Sequence, residues 1–125
     1  MKKTKNIGIW MDHSNAFLMT LTNDTIVSNR IVSVFTHQDK VDGLQKSENL
    51  MHNKEQHQQM SYYKKIGDAI REYQDVVLFG PTDAKNQLVN LLKDDHLFEN
   101  IHIVVKDTDK MTETQMHDFV RRYFN

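Results

Sequence analysis

Asp12 closes the first apolar run of the chain, Ile7-Gly8-Ile9-Trp10-Met11, and three further carboxylates, Asp83, Asp107 and Asp109, follow two later apolar runs. Carboxylates gathered at one edge of a sheet are the ligand set of two-metal hydrolysis, because a hard divalent cation takes oxygen donors and needs its charge compensated. A metal-dependent phosphodiester hydrolase built on Asp12 is therefore one reading. No motif marks the remaining ligands, however, and acidic residues at turns and helix starts have a commoner cause: their side chains bond nearby backbone amides. The seven histidines add no metal site by spacing. His52 and His57 are five apart and so miss a shared helical face, His13, His37, His96, His102 and His117 are scattered, and no His-Glu-x-x-His pattern occurs.

The most specific local pattern is Gly80-Pro81-Thr82-Asp83-Ala84-Lys85. A glycine after an apolar run lets the backbone turn sharply, and the helix that follows begins with free N–H groups and the positive end of its dipole. Gly80, Thr82 and Lys85 are thus candidate contacts for an anion or an RNA phosphate. The same residues also make an ordinary strand-to-helix connection, since the glycine density of a phosphate-cradling loop is missing. Lys64 and Lys65 are the other candidate phosphate contacts, although Asp68 and Glu72 lie among them as on a solvated helix face.

These residues must be positioned by elements that the hydrophobic periods reveal. Residues 7–11 form a short apolar run suited to a strand buried on both faces. The turn formers Asp12 to Asn15 separate it from a second strand over residues 16–22, and Asn23-Asp24 leads into a third, rich in Ile and Val, over residues 25–35. Strands joined by such short turns form an antiparallel meander. Residues 36–59 then carry five glutamines, three histidines and only four large apolar residues, and read as a long polar loop. Within it, the helix formers of residues 50–59 suit an N-terminal extension of the next helix.

From Met60 the period changes to 3.6, with Tyr63, Ile66, Gly67, Ile70 and Tyr73 on one face. A buried strand over residues 75–79, a helix carrying Ala84, Leu88, Leu91 and Leu92, and a strand over residues 101–105 follow. The last helix opens with a capping box, Thr112-x-x-Gln115, flanked by Met111 and Met116 at the staple positions. The order β-β-β-α-β-α-β-α predicts an α/β domain with a mixed five-stranded sheet, the arrangement of the ribonuclease H-like fold.

Composition bounds the rest. The 125 residues suit a single domain, and the absence of cysteine excludes disulfides, thiolate metal sites and a cysteine nucleophile. No apolar run reaches the roughly 20 residues that span a bilayer, and the short run after the basic start is no signal peptide, so no membrane partner and a cytoplasmic location are expected. Sixteen Lys and Arg against seventeen Asp and Glu leave a net charge of −1, which argues against indiscriminate nucleic-acid binding. No residue pattern asks for a cofactor. The outer strand of the meander is a sheet edge through which a homodimer could form.

Three segments carry a family resemblance: Ile7-Gly8-Ile9-Trp10-Met11-Asp12, Tyr62-Tyr63-Lys64-Lys65-Ile66-Gly67-Asp68-Ala69, and Val77-Leu78-Phe79-Gly80-Pro81-Thr82-Asp83-Ala84-Lys85. Together they resemble the middle domain of archaeal and eukaryotic peptide chain release factors and of the ribosome-rescue factor Pelota, here as a stand-alone version of bacterial type. The resemblance implies the translational-machinery fold, with ribosomal RNA or another translation component as partner. In release factors a Gly-Gly-Gln loop before the first helix directs water onto the peptidyl-tRNA ester. Gly43-Leu44-Gln45 stands at a similar place, with leucine for the second glycine, which narrows the backbone freedom that close approach requires. The expectation is a non-enzymatic binding protein of the translation machinery.

Overall fold

In a computed structural model of the protein, the described residues are 5–22, 25–33 and 48–124, with 48–58 described as backbone only. Five strands, β1 (Asn6–Met11), β2 (Asn15–Thr22), β3 (Thr25–Val32), β4 (Asp75–Gly80) and β5 (His102–Asp107), form one sheet in the order β3-β2-β1-β4-β5. β1, β2 and β3 are antiparallel neighbours, as the short turns dictate. β4 and β5 join parallel to β1, because each is reached through a helix that carries the chain back along the sheet. This is the mixed five-stranded α/β sheet that the alternating elements predict.

Among the described residues the long helices are α1 (Glu48–Ile70), α2 (Ala84–Lys93) and α3 (Glu113–Phe124). α1 takes in residues 48–59 of the segment read as a polar loop. Its helix formers decide the backbone there, although few apolar side chains mark a buried face. The remainder of that segment, Gly43, Leu44 and Gln45 included, lies outside the described residues. β5 runs to Asp107, two residues past the apolar run, because its pairing with β4 continues through Lys106 and Asp107 opposite Phe79 and Gly80.

Strand alternation sorts the core onto the two faces of the sheet. Ile7, Ile9 and Met11 of β1 and Val76 and Leu78 of β4 point to the side covered by α1 and α2, where they meet Tyr62, Tyr63, Ile66, Ile70, Leu88 and Leu92. The opposite side is thinner. There Trp10, Met19, Val77 and Phe79 pack against Met116 and Val120 of α3. α3 sits close over β1: a Cβ on Gly8 would overlap the Val120 methyls. It is started by the expected capping box. The Gln115 amide N–H donates to Thr112 Oγ1 at 3.2 Å, and Gln115 Oε1 accepts from the Thr112 amide at 2.9 Å. Met111 and Met116 both join the cluster beneath, as a hydrophobic staple should. Among the described residues, no helix is long and apolar enough to cross a membrane.

Candidate functional site

Because β1, β4 and β5 run parallel, their carboxyl ends lie side by side, and Asp12, the Gly80 turn and Asp107 emerge at one edge of the sheet. Gly80 has φ +149°, and a Cβ there would run into the Met11 carbonyl oxygen of β1. Only glycine lets the two chain ends approach this closely. Its own carbonyl accepts the Thr108 amide at 3.1 Å, tying the turn to the end of β5.

Lys85 fastens the same turn from below. It is 1% exposed, donates to the Thr82 carbonyl oxygen at 2.6 Å and pairs with Asp107 Oδ1 at 2.8 Å. The Asp107 side chain is 90% exposed, so the pair consists of a buried cation and a carboxylate facing water. Thr82 Oγ1 accepts the Ala84 amide at 3.3 Å and turns the chain into α2, while Asp83 caps no amide with its side chain and accepts instead from Asn86 Nδ2 at 2.8 Å. Gly80, Thr82 and Lys85 are thus brought together, with the lysine ammonium beneath the turn and already engaged.

Asp12 serves its own hairpin. Its Oδ1 accepts the amides of Ser14 and Asn15 at 2.8 and 2.7 Å, the local arrangement that makes aspartate common at turns. Among the described residues, no group of three or more metal-capable side chains comes together. The convergence of carboxylates that hydrolysis by Asp12 would need is therefore not found among them. His13, His96 and His102 are exposed and His117 is half-buried.

Two tyrosines, Tyr63 from the predicted apolar face and its neighbour Tyr62, which the period left unassigned, seat α1 on this edge. Tyr62 donates to the Asp12 carbonyl oxygen at 2.9 Å, and Tyr63 donates to Gln87 Oε1 of α2 at 2.6 Å. Lys64 and Lys65, which follow them, are exposed. Burial, then the nearby Asp12 charge, pushes the Tyr62 hydroxyl well above the ordinary phenol range, and burial raises Tyr63 as well. An unfolded chain would ionise these phenols near pH 10.0 while the fold keeps them protonated. Their contribution to stability is therefore complete below pH 10 and is lost as pH rises from there through the higher folded values. Tyr62→Phe should lower stability by about 1 kcal/mol at neutral pH and flatten its decline above pH 10. Urea midpoints measured from pH 7 to 11 check both effects.

No family model matches the sequence, and no curated protein matches it. Solved structures do. Pelota from Archaeoglobus fulgidus superposes with a TM-score of 0.63 at 10% identity, over 97% of this chain and 32% of that one. Pelota from Thermoplasma acidophilum gives 0.59 at 14% identity, over 94% of this chain and 32% of that one. The archaeal translation termination factor aRF1 gives 0.52 at 13% identity, over 96% of this chain and 39% of that one. The chain thus spans about a third of the length of these proteins and shares the fold of that part.

Proposed function

We propose that this chain is a binding domain of the translation machinery, a counterpart of the middle domain of Pelota and release factors, and that its partner is ribosomal RNA in the cytoplasm. The observation carrying this reading is the fold itself, which superposes on part of Pelota over 97% of this chain. Supporting it locally are the exposed Lys64 and Lys65 and the fixed turn from Gly80 to Thr82, whose residues stand at the edge onto which α1 is anchored. In this reading Lys85 acts from beneath, by setting the shape of the turn that meets the phosphate. Peptidyl-tRNA hydrolysis is not part of the proposal, because Gly43-Leu44-Gln45 lacks the second glycine of the release motif.

The test is co-sedimentation of the protein with ribosomes from its own cells at low salt. Binding should weaken steeply between about 50 and 200 mM salt, as displacement of counterions from phosphates requires. A Lys64→Glu, Lys65→Glu double variant should bind less tightly at every salt concentration. Absent or salt-insensitive binding would overturn the reading. A second reading, a homodimer, is favoured by β3, an edge strand on which Val27 and Val32 are 51% and 48% exposed. Light scattering over a dilution series separates it from a monomer.

A further inference from the structure

We infer that the groove between the end of β5 and the outer side of α3 binds a single-stranded RNA segment, with a base stacked on Tyr123 and phosphates on Lys106, Lys110 and Arg122. The inference deepens the ribosomal-RNA reading, on which it rests, and adds a site on the face of the sheet away from α1.

The groove is about 820 Å³, within the range of sites that hold small ligands or single nucleotides. Its aromatic side is a ladder of near-parallel rings. Buried Phe79 stacks on Phe119 with centroids 4.1 Å apart and planes at 23°, and Phe119 continues to Tyr123 at 6.3 Å and 7°. The edge contact of Tyr123 with Phe124, at 5.0 Å and 89°, braces it from another direction. Tyr123 is nonetheless 37% exposed. An exposed ring held at a set angle by two half-buried ones, one of them stacked on buried Phe79, is a platform for a base, because it has little conformational freedom left to lose on stacking.

The rest of the lining supplies the charge. Lys106, Lys110 and Arg122 border the groove, against the carboxylates of Asp109 and Asp118. Among the described residues, no ion pair engages any of the three cations, and Asp118 reaches instead toward Arg121 at 3.7 Å. Unpaired cations beside an aromatic platform complement a chain that alternates phosphates with flat bases. A duplex would not fit this description, since its bases are already stacked on one another.

The experiment measures fluorescence anisotropy of a labelled ten-nucleotide single-stranded RNA, and of the same sequence as a duplex, at low salt. The single strand should bind the wild-type protein more tightly than the duplex. Tyr123→Ala should weaken it by about 5- to 100-fold, the effect of losing one stacked base, while Tyr123→Phe, which keeps the ring, should bind like wild type. Lys106→Glu with Lys110→Glu should lower both affinity and its dependence on salt. Circular dichroism confirms that each variant is folded. Equal binding by folded Tyr123→Ala, equal binding by Tyr123→Ala and Tyr123→Phe, or preference for the duplex would overturn the inference. Ribosome co-sedimentation run in parallel separates the two readings. If the wild type sediments with ribosomes but does not bind the single strand, the groove is wrong and the ribosomal partner stands; if it does neither, both fall.

Discussion

Gly80→Ala should destabilise the protein by about 3–5 kcal/mol, enough to leave a domain of this size largely unfolded at 37 °C. Two costs combine. A side chain at φ +149° is strained wherever it points, and here the new methyl meets the Met11 carbonyl oxygen, a backbone atom fixed by its place in the central strand. Relief would require β1 and β4 to part where Trp10 pairs with Phe79. Gly8→Ala offers a comparison within the same sheet. Its methyl meets the side chain of Val120 rather than backbone, so α3 can shift outward and the expected cost is smaller, about 1–2 kcal/mol. Urea unfolding of the two variants checks the order. Equal midpoints would show that the contact with Met11 is not what holds Gly80.

The second large effect concerns Lys85, and its sign depends on which partner is removed. Asp107→Ala leaves a buried ammonium with the Thr82 carbonyl as its partner and should cost about 2 kcal/mol, less than a fully buried pair would lose because Asp107 itself faces water. Lys85→Met removes the charge, keeps most of the volume and returns Asp107 to solvent, so its cost should stay within about 1 kcal/mol. The double variant should resemble Lys85→Met. A double-mutant cycle by denaturant titration reads the coupling directly, and a neutral Asp107→Ala would mean that the pair contributes nothing.

Much of this architecture was legible because apolar periodicity is a local signal. The Ile7 to Met11 run, the 3.6 period through Ile66 and Ile70, and the Thr112–Gln115 box each announce an element within a few residues. The start of α1 at Glu48 was harder to read, since a helix with little apolar content carries no stripe to mark it. The site was less legible still. Lys85 reads as a contact for an anion until β5 brings Asp107 to it, and Tyr62 has no role in the periodic pattern until the carbonyl oxygen of Asp12, 50 positions earlier, meets its hydroxyl. Both depend on which strand ends become neighbours, and sheet order is not written in any single window of sequence. The Gly80 turn was visible by residue type, but the reason it must be glycine was not, because Met11 belongs to a strand nearly seventy residues away.

The unequal cladding of the sheet gives the molecule a natural line of cleavage. Two helices bury one face, whereas α3 holds the other by a small patch around Trp10 and Phe79. An element with so little buried surface should open before the two helices on the other face do, and its amides should exchange with solvent before theirs. An oligonucleotide bridging Lys106 on the sheet and Tyr123 on α3 would act as a clasp across that line, slowing the exchange of α3 more than that of any strand.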